Sequence, residues 1–196
     1  MIKYITLKIL SIFDYFHQRK IINFLKKKNI SRFDIFFDIG AHKGESINLF
    51  TKHFDIKNFY SFEASPINFK ILLNKIDFYK KKFNSLNLVI ENYAIGSQIK
   101  KVKLKQLNES SSSTIKDLNE NSNYFKNKKI LLQDSKNIDF FTEIEINQIT
   151  LSDYLKKKNI NFIDFIKIDT EGYEFEVLKG SKNILSNTKM ILFEHH

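Results

Sequence analysis

Apolar positions along this chain follow two rhythms that alternate from residue 34 to the end. Short runs dominated by Phe and Ile lie at Asp34–Ile39, Phe59–Glu63, Leu86–Gly96, Asn161–Ile168 and from Met190 onward. Each is short enough to be a buried strand. Between them, residues 45–53, 66–79, 151–159 and 175–185 space their apolar side chains three or four apart, as helices do. Ser65-Pro66 suits the start of the second helix, and Thr150 or Ser152 can cap the third. Ile67, Leu72, Ile76 and Tyr79 make the predicted buried stripe of 66–79. Lys100–Leu107 and Ile144–Ile149 instead alternate with period two, the pattern of half-exposed strands in an antiparallel insertion. Asn108–Lys129, with serines at 110–113, is too polar to be core and reads as a solvated loop. Its functional alternative is a lid that excludes water.

Strand and helix in alternation predict an α/β fold with a mainly parallel, Rossmann-like sheet and helices on both faces. Asp38, Glu63, Asn92, Asp169 and Glu194 all fall at C-terminal strand ends, where such sheets bind ligands. The first crossing, FFDIGAHKG, reads strand, glycine turn, helix. Its spacing is Asp38-x-Gly40-x-x-x-Gly44, and the middle glycine of the dinucleotide fingerprint is replaced by His42. An acid before the turn suits S-adenosylmethionine, whose ammonium needs a carboxylate or carbonyl. A second acid, Glu63, comes about twenty residues after the turn, where doubly wound folds bind ribose hydroxyls. The plain alternative is an ordinary β-α turn with an incidental aspartate.

Composition changes this picture little. A chain of 196 residues is one domain by size and can bury about 70% of its unfolded surface. The net charge of +10 invites a nucleic-acid reading, but Lys26–Lys28, Lys80–Lys82 and Lys156–Lys158 sit at helix ends, where the dipole favours cations. Nucleic acid is therefore a weak expectation. No cysteine means no disulfide and no thiolate nucleophile. Residues 1–28 mix Ile and Phe at helical spacing with Lys. They contain no membrane-length apolar run or small-residue cleavage site. A helical extension over 1–30, a domain over 31–196 and a cytoplasmic location are expected. Peripheral contact of 1–28 with an anionic membrane is the sharper alternative.

FFDIGAHKGES, YSFEASPINFKILLNK, NYAIG, the serine run and FIKIDTEGYEFEVLKGSKNIL together resemble the FkbM family of S-adenosylmethionine-dependent methyltransferases. The likeness runs from about Phe33 to the C-terminus, and Lys167–Glu174 is its most specific part. It implies a class I methyltransferase fold, S-adenosylmethionine as cofactor, and methyl transfer to a hydroxyl of a sugar, glycan or secondary metabolite. Matched by position, Asp38, Gly40, Ala41, His42 and Gly44 form the cofactor loop. Glu63 is the ribose acid, Asn92 and Ala94 lie toward adenine, and Asp169, Glu171 and Glu174 face methyl transfer. The family usually has Asn where this chain has His42. The family fold also continues past its fifth strand, so a domain lacking the C-terminal β-hairpin, or a fragment, is expected.

An alcohol needs a general base. Asp169, Glu171, Glu174, His195 and His196 are candidates, with the acidic signature preferred because it follows a central strand. Lys167 could hold a carboxylate, or be only a lysine at the sheet end. The acids with the terminal histidines could bind a divalent metal, but none is expected. The rival readings are a nucleic-acid methyltransferase, a nicotinamide oxidoreductase, which the sheet suits but the glycine spacing does not, and a catalytically weak subunit that binds cofactor for a partner. No Asn/Asp-Pro-Pro-aromatic sequence supports the first.

Overall fold

The computed structural model describes residues 16–83, 85–107, 113–116 and 141–193. The expectations for residues 1–15, for 108–112 and 117–129 of the polar tract, and for Glu194, His195 and His196 lie outside these. Five parallel strands form the central sheet: β1 (Arg32–Ile39), β2 (Asp55–Phe62), β3 (Asn87–Glu91), β7 (Ile163–Ile168) and β8 (Thr188–Phe193). Their order is β3-β2-β1-β7-β8, so the chain starts centrally, winds outward, then crosses to the other side. That reversal between β1 and β7 opens a crevice at their C-terminal ends.

Alternation along β1 decides what each face buries. Phe36 points to one face, where it stacks on Phe59 at 4.5 Å and on Phe165 at 4.9 Å between ring centroids, and Phe33 at the start of the strand joins the same cluster. The helix over residues 16–27 (α1) packs Ile22 and Leu25 into the same cluster, beside Phe50 of α2 (Glu45–His53). Phe37 and Ile39 point to the other face, against Leu151, Tyr154 and Leu155 of α5 (Leu151–Lys158) and Val177 of α6 (Glu174–Gly180). Helices therefore cover both faces, as the alternation predicts. Among the described residues no helix is long and apolar enough to cross a membrane.

Three details differ from the sequence reading. Residues 66–79 form two helices, α3 (Pro66–Leu73) and α4 (Ile76–Lys82). The break tightens at Lys75, whose N–H bonds to Leu72 O three residues back. Leu72 and Tyr79 are buried as expected, but Ile67 is 53% exposed. Second, Leu86–Gly96 is not one strand. β3 stops at Glu91, and β4 (Ala94–Ile95) joins a separate sheet of order β4-β6-β5 with β5 (Lys100–Leu107) and β6 (Phe141–Ile149). Third, α6 ends at Gly180, which lies so close to the turn after β4 that a β-carbon there would stand 1.9 Å from Gly96 O. The antiparallel pairing of β5 with β6 and the caps at Ser65 and Thr150 are as expected.

Candidate active site

The crevice floor is the turn between β1 and α2. Gly40 has φ +88°, and a β-carbon on it would lie 1.9 Å from Asp169 O. Only glycine lets the tips of β1 and β7 approach this closely. Asp169 N–H in turn donates to Ile39 O at 2.9 Å, tying the acidic loop to the glycine turn. Every backbone donor of the turn has a protein acceptor. Gly40 and Ala41 donate to Phe62 O at 2.9 Å, and Gly44 donates to Ala41 O at 2.9 Å. His42 N–H donates to Glu63 Oε2 at 2.7 Å, and Lys43 N–H to Glu45 Oε2 at 3.0 Å. A pyrophosphate cradle needs such donors aimed at the ligand. Here they are turned inward, so this turn is not built for a dinucleotide.

His42 has φ 48°, in the left-handed region that Asn and His enter more readily than most residues. His at this position therefore accommodates the backbone bend. Its Nδ1 lies 3.2 Å from Glu45 Oε1. Glu63, just past β2, clamps two loops at once: Oε2 takes the His42 N–H and Oε1 takes the Ser65 N–H at 2.8 Å. Each carboxylate oxygen can accept a second bond. Asn92 supports this arm, donating through Nδ2 to Glu63 O at 2.8 Å and to Ala64 O at 3.3 Å. Ala94 is placed differently from its neighbours. Its side chain is buried with Leu104 and Ile146, in the core of the small sheet beneath Ala64.

Burial pushes the Glu63 carboxyl up to about 7, against the pull of the Ser65 and His42 N–H bonds. This fixes a sign. Between the ordinary glutamate value near 4.5 and about 7, the folded chain holds more protons at this site than the unfolded chain. Stability from this group is thus full below that window and falls as pH rises through it. Chemical denaturation at pH 5 and pH 8 checks this. The wild type is expected to lose about 1–3 kcal/mol more across that interval than Glu63→Gln. Equal losses in the two proteins would contradict it.

Asp38 is fully buried, and neither carboxylate oxygen completes a hydrogen bond among the described residues. Burial raises it to about 6, opposed by Lys167, whose Nζ stands 3.8 Å from Oδ1. The same Nζ donates to Asp169 Oδ2 at 2.8 Å. A buried acceptor left unmatched costs stability. Such groups in native proteins are matched by a water, an ion or a ligand, or serve a functional role. The glycine turn thus offers acceptors and negative charge, with Lys167 as counter-charge, and no unsatisfied backbone donor.

The acidic loop after β7 bends through Glu171 (φ 51°) and Gly172 (φ 95°). Glu174 shapes that bend. Its Oε1 accepts from Thr170 N–H at 3.0 Å, Thr170 Oγ1 at 3.1 Å and Gly172 N–H at 3.1 Å. Its carboxylate therefore holds the loop from within. Glu171 is fixed through its backbone, where Thr114 Oγ1 donates to its carbonyl at 2.8 Å. The end of the serine run crosses here: Ser113 Oγ accepts from Gln106 Nε2 at 2.9 Å, and Thr114 pairs with Lys105.

The structure thus brings Asp38, Gly40, Ala41, His42, Gly44, Glu63 and Asn92 to one end of the sheet, with Asp169, Glu171 and Glu174 across from them. Gly44 caps α2 with φ 90° and packs on Tyr79, whose hydroxyl donates to its carbonyl at 3.0 Å. Ser61, beside Asp38 in register, is a buried polar residue that sequence reasoning missed. A serine inside the apolar run FYSFE was its only signal. Among the described residues, no three His, Asp or Glu side chains form a possible metal site.

Comparison with known proteins bears on the fold and the family. No curated protein matches the chain. A crystal structure of the methyltransferase FkbM from Methylobacillus flagellatus KT is similar, with a TM-score of 0.50 and 19% identity. The similarity covers 78% of this chain and 30% of that protein, so it speaks for the fold. Residues 38–196 match the methyltransferase FkbM domain, from the acid of the glycine turn to the last residue. The chain belongs to the FkbM methyltransferase family.

Proposed function

We propose that this chain transfers a methyl group from S-adenosylmethionine to a hydroxyl oxygen of a sugar, glycan or secondary metabolite. The observation that carries the donor assignment is the polarity of the crevice. Among the described residues Asp38 presents two buried oxygens that complete no hydrogen bond, with Ser46 and Lys167 Nζ beside them, while all five N–H groups of residues 40–44 are satisfied internally. A cationic ligand with sugar hydroxyls fits that inventory, and a phosphate does not. Asp38 would take the donor's ammonium, Glu63 the ribose hydroxyls, and the Asn92 turn would border the base.

When bound, the cofactor supplies a methyl group already activated on a sulfonium. What remains for the protein is alignment and removal of one proton. Asp169 is the base that this geometry favours. It follows β7, the strand beside central β1, is 29% exposed at its side chain, and is aimed by Lys167. Glu171 is its nearest rival, while Glu174 takes a positioning role through the three bonds above. Thr114 and Lys116 border the acceptor side, since a β-carbon on Gly172 would lie 3.1 Å from Lys116 Cδ.

Incubation with S-adenosylmethionine labelled at its methyl group and a panel of sugar and polyol acceptors tests this. Label is expected in an ether linkage that survives mild base. Label lost to base, as from a methyl ester, or held on nitrogen would contradict hydroxyl methylation.

A further inference from the structure

Three residues on adjacent strands form a polar row across the sheet, just beneath the glycine turn. Register pairs Ser61 of β2 with Asp38 of β1, and Asp38 with Lys167 of β7. Partners in parallel register project to the same face. Ser61 and Asp38 are fully buried, and the Lys167 side chain is 13% exposed. Ser46, in the first turn of α2, is also buried and reaches the Asp38 carboxylate. On this face the next row down is entirely aromatic or apolar: Phe59, Phe36, Phe165 and Met190. A lysine at the edge of such a core is costly to desolvate. An aliphatic residue would pack there without that cost, so a purely structural reason for Lys167 is weak.

The distances give it another one. Lys167 Nζ lies 2.8 Å from Asp169 and 3.8 Å from Asp38, between the residue proposed to hold the donor and the residue proposed to act on the acceptor. Resting on the methyl-donor reading above, we propose that Lys167 is a positioning residue: it keeps Asp38 charged for the donor's ammonium and aims Asp169 at the acceptor. Without that cation, two carboxylates would face one another across a buried gap. Like charges so placed drive one of them to take a proton. A protonated Asp38 would no longer attract an ammonium.

The test uses two nucleosides that differ only where Lys167 is proposed to matter. S-adenosylhomocysteine carries the ammonium and carboxylate of the amino acid. 5′-Methylthioadenosine has the same adenosine and sulfur but no amino acid. Calorimetric titration of Lys167→Met is expected to show S-adenosylhomocysteine weakened about tenfold or more, with 5′-methylthioadenosine within about twofold of wild type. Lys167→Gln removes the charge but keeps a donor for Asp169. It carries the same expectation should the methionine variant not fold. Equal weakening of both ligands would mark a structural role and overturn the proposal. An unchanged affinity ratio in a folded variant would overturn it too, while leaving the donor reading intact. Failure of the wild type to bind either nucleoside would bring down the donor reading itself, and this proposal with it.

Discussion

Gly40→Ala is expected to yield little soluble protein, and what folds should not bind donor. Two penalties combine at this position. Alanine at φ +88° is strained, at a cost of about 1 kcal/mol. The larger one is steric: the new methyl would sit 1.9 Å from Asp169 O, and that atom is backbone. It cannot rotate away, so the tips of β1 and β7 must separate. Doing so breaks the Asp169 N–H bond to Ile39 O and displaces the acidic loop. A total above about 3 kcal/mol is expected, a large fraction of the stability of an ordinary domain. Gly44→Ala makes a good control. Its methyl would meet Leu72 Cδ1 at 2.7 Å and Tyr79 Oη at 2.9 Å, which are side-chain atoms able to shift. Urea midpoints of the two variants should therefore separate, with Gly40→Ala much the lower. A Gly40→Ala protein with the wild-type midpoint would contradict the close approach of the strands.

Asp169→Asn should lower turnover by about 10²- to 10⁴-fold while leaving S-adenosylhomocysteine affinity within a few-fold. The substitution keeps the shape of the side chain and an oxygen that can still accept from Lys167 Nζ. It removes the ability to take a proton from the acceptor alcohol. A base acts in the chemical step, so its loss should appear in kcat more than in cofactor binding. Unchanged turnover would remove Asp169 from the role and pass it to Glu171. Loss of affinity together with turnover would indicate that the acidic loop had moved.

Much of this arrangement was legible in the sequence, because local rules and the fold agree in most places. Short Phe- and Ile-rich runs, helical spacing between them, Ser65-Pro66 and Thr150 gave strands, helices and caps close to where they stand. The polar residues at strand ends, Glu194 aside, lie at the same end of the sheet in the structure. What stayed hidden depended on contacts between distant segments. Nothing local marks Ala94 as core of a second sheet, since its partners Leu104 and Ile146 come later in the chain. Glu174 looks like a candidate acid until its three loop bonds are seen. Lys167 is visible as a lone cation in FIKI, but its place between two carboxylates depends on the pairing of β7 with β1. The inward-turned donors of residues 40–44 are equally unreadable from glycine spacing alone, yet they speak most directly about the ligand.

Titration of wild type and Asp38→Ala with S-adenosylhomocysteine, alongside their denaturation curves, tests the central claim most directly. Among the described residues the buried Asp38 carboxylate completes no hydrogen bond, and Lys167 keeps Asp169 as its partner, so removing Asp38 should leave a folded protein of near-wild-type stability. The account predicts a wild-type Kd on the order of micromolar, about −8 kcal/mol, and its loss in this stable variant. A folded wild type that does not bind, or an Asp38→Ala protein that binds equally well, would contradict it.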